Sequence, residues 1–392
     1  MIVTADRVLT PGRTLAPGWV QVEGERIAQV GEGGPPTAIP QVEERRPSAA
    51  GASRPLHLTG TLVPGFVDTH CHGGGGASFT VGDPDQAATV ARAHLAHGTT
   101  SLVASLVTDE IDRLDRSVRV LAELVDDGVL AGVHLEGPWL SADFCGAHEP
   151  SLLRPPSPAD VDRLLAAGGD ALRMATIAPE LDGALEAVRR VVDAGVVVGV
   201  GHTDATWEQA RAAIDAGATV ATHLFNQIRG LHHRHPGPIA ALLEDERVRV
   251  ELISDGVHVH PAMLRLAERA AHGRIVLVTD AMGAAAADDG DYHLGPIHVQ
   301  VRDGVARTAT GAIAGSTLTM AEAVRHAVAS GFTLEAAVTA ATATPATSLG
   351  LTDVGRIEAG ARADLVVLDD DLAVTRVVRA GSWITSPDVA LP

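Results

Sequence analysis

The chain has 392 residues and a mass of 40.4 kDa, which is enough for one barrel and a small accessory domain. Its formal charge of −19 disfavours nucleic acid and anionic membranes as partners. The two cysteines do not suggest a disulfide framework, and neither a basic leader nor a continuously apolar span of about 20 residues is present. These features predict a soluble, cytoplasmic, globular protein.

Both ends of the chain are predicted to form strands, separated by Pro-Gly and Glu-Gly turns. The β-prone runs lie at Ile2–Leu9, Trp19–Val22, Ile27–Val30, 363–369 and 374–378. Neither end has enough apolar surface for a core of its own. We therefore expect residues 1–60 and 351–392 to pair in one small β-sandwich domain, with a surface loop at 40–56.

Between these ends, β-prone runs alternate with amphipathic stretches rich in Ala, Leu and Arg. The predicted strands are Leu62–Asp68, Thr99–Ser105, Leu130–Leu135, Leu172–Ile177, Val196–Gly201, Thr219–His223, Val248–Ser254 and Arg274–Thr279. The predicted helices are Pro84–Ala96, Ile111–Val125, Pro158–Ala167, Leu181–Asp193, Trp207–Ala216 and Pro261–Ala271. This alternation predicts an α/β fold, a (β/α)8 TIM-like barrel at residues 61–350 inserted in the small sandwich. A doubly wound open sheet is the alternative, but it normally has fewer strands.

Two histidines, His70 and His72, end the first predicted barrel strand, just before a run of four glycines. Residues i and i+2 of a strand share a face, so both imidazoles point the same way. Such a pair can bind one metal ion. A histidine pair in a surface turn has the same sequence pattern, so the pair alone does not decide between the two interpretations.

Further polar residues follow other barrel strands, whose carboxyl ends meet at the face that carries active sites. They are Glu136 after the third strand, His202 after the fifth, His223 after the sixth and Asp280 after the eighth. We expect Glu136, His202 and His223 to bind one ion, and His70 and His72 a second, with Glu136 as a bridge. Asp280 is placed to exchange a proton with water that attacks a substrate.

Neutral imidazoles and a carboxylate favour zinc, with iron, cobalt or manganese also compatible, in one or two sites per subunit. The sequence contains no lysine, because all 30 residues of the Lys+Arg total are arginine. A carboxylated lysine, which bridges the two ions of many hydrolytic barrels, is therefore excluded. Any bridge must come from Glu136, from an aspartate or from solvent.

These motifs resemble the amidohydrolase superfamily and, within it, the family of N-acetylglucosamine-6-phosphate deacetylases, over nearly the whole chain. The matching segments are 68–72, 134–139, 201–203, 222–226, 254–258, 279–280 and the tail at 355–365. The resemblance implies hydrolysis of the acetamide of a phosphorylated N-acetyl amino sugar, N-acetylglucosamine 6-phosphate, giving glucosamine 6-phosphate and acetate. It also implies a homodimer.

The resemblance further implies roles for individual residues. Asp280 would be the general base and acid, and His148 would polarise the acetyl carbonyl. Arg234, His258 and the backbone of Asn226 and Gln227 would hold the sugar phosphate. The remaining residues implied to line the substrate pocket are Ala147, Ile313, Ala314 and Gly315.

Several alternatives stay open at this stage. Arg234 is equally consistent with an exposed loop arginine, and Gln227 stands where alanine is usual, so only its backbone is expected to touch substrate. Cys145 is interpreted as a passive residue. The substrate alternatives are N-acetylgalactosamine 6-phosphate or another N-acyl compound, and a non-catalytic sugar-phosphate sensor is the alternative of a different class. The number of occupied metal sites is also open.

Overall fold

A computed structural model of the protein describes residues 1–35 and 55–384, so most of the loop expected at 40–56 lies outside the described residues. In chain order the strands are β1 (Ile2–Thr10), β2 (Arg13–Leu15), β3 (Gly18–Glu23), β4 (Arg26–Glu32), β5 (Leu56–Pro64), β6 (Phe66–Cys71), β7 (Gly73–Gly74), β8 (Ala77–Ser78), β9 (Thr99–Leu106), β10 (Gly132–Glu136), β11 (Leu172–Ile177), β12 (Val197–Val200), β13 (Val220–Ala221), β14 (Arg249–Ile253), β15 (Ile275–Val278), β16 (Gly290–Leu294), β17 (Ile297–Arg302), β18 (Val305–Thr308), β19 (Leu365–Leu368), β20 (Val374–Arg379) and β21 (Ser382–Trp383). The α-helices are α1 (Pro84–Ala96), α2 (Ile111–Asp126), α3 (Pro158–Gly168), α4 (Ala184–Asp193), α5 (Trp207–Asp215), α6 (Gly237–Glu244), α7 (Pro261–Ala270), α8 (Met320–Ala329), α9 (Leu334–Ala340) and α10 (Ala343–Ser348). Among the described residues, no helix is long and apolar enough to cross a membrane.

Eight parallel strands form the barrel, in the order β6-β9-β10-β11-β12-β13-β14-β15. They are short apolar runs buried on both faces, as parallel strands covered by helices must be. The ring closes between β15 and β6 through backbone bonds just beyond the regular pairing: Asp280 N–H donates to His70 O, and His72 N–H to Ala281 O, both at 2.8 Å. The predicted barrel is confirmed.

The first barrel strand begins later than the predicted Leu62–Asp68. Residues up to Pro64 belong to β5, which pairs with β1 and β19 in the sheet of the chain ends. The chain then passes Gly65, where an added Cβ would collide with the side chain of Thr100, and enters the barrel at Phe66. The apolar run continues through this junction, so hydrophobicity alone does not reveal it.

The two chain ends pair in one eight-stranded sheet, β21-β20-β19-β5-β1-β3-β4, with β2 paired to β1. The sheet folds over itself, because β4 is bonded to the segment that precedes β19. Ile27 N–H donates to Ala361 O at 2.9 Å, and Ala363 N–H donates to Glu25 O at 2.7 Å. Its inward side chains form a core separate from that of the barrel. The predicted joining of both ends in a small β-domain is therefore confirmed.

Several elements were not predicted, among them helices α6, α8, α9 and α10 and strands β16, β17 and β18. Helix α6 is apolar on most of its surface and largely buried, so it has no amphipathic period to detect. After β15, the chain forms a three-stranded antiparallel meander, β16-β17-β18. Leu294 and Val299 of the meander pack on Val107 and Met282, which brings the meander to the rim of the barrel.

Asp364 connects the end of the chain to the barrel. Its side chain is 1% exposed, and Oδ2 accepts bonds from Arg362 Nε (2.7 Å) and Nη2 (2.5 Å). Oδ1 accepts the Ala380 N–H at 2.8 Å, and Arg362 Nη2 also donates to Ser101 Oγ of β9 at 3.0 Å. Asp364 therefore holds three segments together.

Replacing this carboxylate should destabilise the fold. We expect D364A to lower the free energy of unfolding by about 2–4 kcal/mol, because buried donors lose a charged acceptor. Urea unfolding followed by circular dichroism measures this change, with the exposed Asp370→Ala as the matched control. Equal stability of the two variants would contradict the connecting role.

Candidate metal centre

Polar side chains from five barrel strands converge at the carboxyl face of the barrel. Glu136 is the last residue of β10, while His202, His223 and Asp280 each lie two residues beyond β12, β13 and β15. His70 belongs to β6, and His72 follows its last residue. The predicted convergence of these six residues is what the structure shows.

Three of the strand-end residues have left-handed backbone conformations that only glycine adopts easily. The φ angles are +47° at His202, +28° at His223 and +47° at Asp280. Such conformations cost free energy in other residues, and they are concentrated at functional sites. Here the sharp turn at each strand end places its side chain toward the barrel axis instead of along the strand.

Glu136 lies at the centre of four imidazoles. Its Oε1 is 2.9 Å from His223 Nε2 and 3.1 Å from His202 Nε2. The same oxygen is 3.3 Å from His70 Nε2, while Oε2 is 3.1 Å from His72 Nε2. We call these five residues the glutamate cluster. All five are buried.

The spacing within the glutamate cluster fits divalent ions. The Nε2 atoms of His202 and His223 are 3.1 Å apart, and those of His70 and His72 are 3.2 Å apart. Ligands of a tetrahedral zinc site with bonds of about 2.0–2.1 Å are separated by roughly 3.3 Å. Two pairs of nitrogens, each beside an oxygen of the same carboxylate, therefore provide donors for one or two ions.

The imidazoles are oriented by their second ring nitrogens. His72 Nδ1 lies 3.1 Å from the carbonyl oxygen of Ser105, and His202 Nδ1 lies 2.8 Å from that of Phe144. A carbonyl only accepts, so each Nδ1 donates to it and each Nε2 is the nitrogen that faces the cluster. Metal-binding histidines are commonly held in this way.

Charge within the centre is also suited to a cation. Burial raises the pKa of Glu136, but His70 and the other imidazoles outweigh this effect and hold it well below its usual range. Asp280 is buried as well, and His70 and His72 lower its pKa far below the usual aspartate value. Burial lowers the pKa of His202 to about 4. At neutral pH both acids are therefore ionised and His202 is an uncharged donor. Burial lowers the pKa of His72, but Asp280 and Glu136 outweigh this effect and raise it to about 9, so a metal ion that binds there displaces a proton.

His134 lies beneath the centre but is not available as a ligand. Its ring is 4.6 Å from that of His70. However, its Nδ1 is 3.0 Å from Ser105 Oγ and its Nε2 is 2.9 Å from Thr176 Oγ1. Both nitrogens are thus used by hydroxyl groups, and His134 forms part of the floor of the site.

A cavity of about 270 Å³ opens above the glutamate cluster. Most of the residues predicted for substrate binding line it, namely Ala147, His148, Asn226, Gln227, His258, Ile313 and Gly315. Two others do not. Ala314 is fully buried in the core of the meander, and Arg234 lies on an exposed loop, where its Nη1 is 2.7 Å from His233 Nε2.

Thr108 orients His148 and was not predicted from the sequence. The Thr108 backbone N–H donates to His148 Nδ1 at 3.2 Å, and its hydroxyl is 2.8 Å from the same atom. His148 Nδ1 is thus an acceptor, so Nε2 carries the proton and lies 3.4 Å from Glu136 Oε2. The one available signal was that Thr108 lies two residues beyond β9, as His202 does beyond β12.

Phe225 and Leu294 also line the cavity without having been predicted. Leu294 comes from the meander, which had no counterpart in the predicted elements. The fold and the site together define a barrel hydrolase with a centre suited to divalent metal ions.

Comparison with known proteins agrees with this class. The profile of the Amidohydrolase family matches residues 61–384. A relative from Escherichia coli O157:H7, named N-acetylgalactosamine-6-phosphate deacetylase, is 41% identical over 322 residues, covering 81% of this chain and 85% of the relative. N-acetylglucosamine-6-phosphate deacetylase of Vibrio furnissii is 34% identical and covers 94% of both chains.

A solved structure gives the same result. It shows N-acetyl-D-glucosamine-6-phosphate deacetylase from Mycobacterium smegmatis, with one aspartate replaced by alanine, in complex with N-acetyl-D-glucosamine-6-phosphate. It is 51% identical to this chain, has a TM-score of 0.92 and covers 98% of each chain. The protein belongs to the amidohydrolase family.

Removing the charge of Glu136 should abolish tight metal binding. In E136Q we expect zinc affinity at least ~100-fold below that of the unmodified protein. Loss of a group that only hydrogen-bonds to a ligand already lowers metal affinity about 10–100-fold, and Glu136 is itself expected to be a ligand. Competition with a chromophoric chelator measures the affinity, with the exposed Glu110→Gln as control. Equal affinity of E136Q and E110Q would remove Glu136 from the centre.

Proposed function

We propose that the protein hydrolyses the acetamide of N-acetyl-D-glucosamine 6-phosphate to D-glucosamine 6-phosphate and acetate, in amino-sugar catabolism and cell-wall sugar recycling. The observation that carries this proposal is the cavity in which the glutamate cluster, Asp280 and His148 face one space. The substrate follows from the relative that is 51% identical over 98% of the chain and has N-acetyl-D-glucosamine-6-phosphate bound.

Glu136, His202 and His223 would hold the principal ion, and His70 and His72 a second one. We propose zinc, because imidazole and carboxylate donors at these spacings suit it. A bound ion of this kind supplies Lewis acidity to a carbonyl oxygen and to a water molecule. We also propose a homodimer in the cytoplasm, as the family resemblance implies.

Asp280 and His148 would carry the proton transfers and stabilise charge. The ionised Asp280 carboxylate is 13% exposed and lines the cavity, so it can accept a proton from the attacking water and return it to the leaving nitrogen. His148 is buried and, through Thr108, is held with its Nε2 proton available. This N–H would donate to the acetyl oxygen as negative charge develops there.

The sugar phosphate would lie near His258. Its Nδ1 is 2.6 Å from Asp255 Oδ2, and the ring lines the cavity beside Asn226 and Gln227. We propose that His258 and the backbone of these two residues hold the phosphate. Arg234 is outside the cavity, so its proposed contact with the phosphate requires movement of its loop.

Acetate release from a small panel of sugars tests the proposal. N-acetylglucosamine 6-phosphate should be hydrolysed with the highest kcat/KM, and the unphosphorylated sugar far more slowly. N-acetylgalactosamine 6-phosphate belongs in the panel because one relative, 41% identical, is named for that substrate. A higher kcat/KM on this epimer would overturn the proposed specificity.

The variant Asp280→Asn separates an enzyme from a sugar-phosphate sensor. We expect D280N to lose at least ~100-fold in kcat, since general acid–base catalysis contributes 10²–10⁴-fold. Its bound zinc, measured by atomic absorption, should stay close to that of the unmodified protein. Unchanged turnover would exclude Asp280 as the base, and no turnover by the unmodified protein would favour the sensor.

Binding of the phosphate should depend on the protonation of His258. Burial lowers the pKa of His258, but the Asp255 carboxylate outweighs this effect and the net pKa is raised. KM for the phosphorylated substrate should therefore be low while His258 is protonated and rise as the pH increases through that pKa. In D255N the raising influence of the carboxylate on the pKa of His258 is lost, so the rise in KM should move to lower pH.

The pH profiles of KM for D255N and the unmodified protein provide the measurement. Ionisation of the substrate phosphate affects both proteins equally and cancels in the comparison. The unphosphorylated sugar serves as a control, because its KM should not change with this group. Superimposable profiles would contradict the phosphate role of His258.

A further inference from the structure

Glu251 is a buried acid to which the reaction described above gives no role. It lies in the middle of β14, on the seventh barrel strand, and is 1% exposed. Among the described residues, its only ion-pair partner is His70. A buried carboxylate is costly to the fold unless its oxygens are paired, so the contacts of Glu251 require an explanation.

Each oxygen of Glu251 contacts a segment of the metal centre. Oε1 accepts the hydroxyl of Thr69 at 3.0 Å. Oε2 is 3.4 Å from His70 Nδ1 and accepts the backbone N–H of His223 at 3.3 Å. One carboxylate thus reaches β6, which carries His70, and the turn after β13, which carries His223.

The contact with His70 determines how that ring is used. A carboxylate only accepts, so Nδ1 donates to Glu251, and Nε2, 3.3 Å from Glu136 Oε1, is the nitrogen that faces the metal centre. In metalloproteins a carboxylate behind a histidine fixes the ring and strengthens it as a donor. His72 and His202 have neutral carbonyls in this position. Of these three histidines, only His70 has a carboxylate as the partner of its Nδ1.

The contact with His223 acts on the backbone. His223 has the strained φ of +28°, and its side-chain Nδ1 has no hydrogen-bond partner among the described residues. Its ring is therefore placed chiefly by the turn that carries it. The bond from its N–H to Glu251 Oε2 is one of the contacts that hold this turn.

We propose that Glu251 is a positioning residue that joins the two halves of the metal centre, orienting the His70 ring and fixing the turn of His223. The inference rests on the proposed metal-dependent function. It makes Glu251 a determinant of metal affinity and of the number of ions retained. It does not make Glu251 a ligand, because its oxygens are engaged by Thr69, His70 and the His223 backbone.

The test is metal binding by purified E251Q. Glutamine keeps the shape but places an NH2 donor opposite groups that also donate. We expect zinc affinity of the site containing His70 to fall 10–100-fold in chelator competition, the range found for such partners of ligands. The visible spectrum of the cobalt-substituted protein should change as well. Glu268→Gln, on helix α7 outside the cavity, is the matched control.

A second variant and a stability measurement exclude a merely structural role. T69V removes one bond to Glu251 but keeps its charge, so the same site should weaken by a smaller factor than in E251Q. Thermal unfolding without metal reports the structural contribution separately. If E251Q and T69V bind both ions like E268Q, or only lose thermal stability, the proposal is overturned. Absence of metal binding by the unmodified protein would instead refute the proposed function.

Discussion

The active face of this barrel depends on one carboxylate placed among several imidazoles. Among the residues that the structure describes, Glu136 alone lies within about 3.3 Å of His70, His72, His202 and His223 together. Without it, the two histidine pairs would have no common anionic partner in a buried space. Because burial opposes charge, this arrangement is stable only with compensating partners, and a divalent cation is the partner that the donor set and its spacing suit best.

Much of the chain serves to maintain this arrangement. Left-handed turns at His202, His223 and Asp280 aim side chains inward, and carbonyl or hydroxyl groups fix the ring nitrogens that face away from the centre. Thr108 does the same for His148 from a different strand. Interactions one layer away from the centre therefore specify which nitrogen is available, a property that residue identity alone does not determine.

The sequence was sufficient to predict the barrel and the residues at its centre, because buried parallel strands are short Val-rich runs and their ends meet on one face. It was insufficient where tertiary contacts decide. The break at Gly65 depends on close approach to Thr100, and α6 lacks a periodic pattern. Glu251 resembles any mid-strand acid until the fold brings Thr69 and His70 to it. The exposed position of Arg234 depends on a loop whose path local sequence does not encode.

The way the barrel closes has a consequence for how the protein folds. The joint between its last and first strands is made by the backbones of His70 and His72 on one side and of Asp280 and Ala281 on the other, some 200 residues further along the chain. Contacts of such sequence separation form late, since a long loop must first be ordered. Intermediates with an open barrel would therefore lack a complete ligand set, and ion capture would report the final step of folding instead of assisting the early ones.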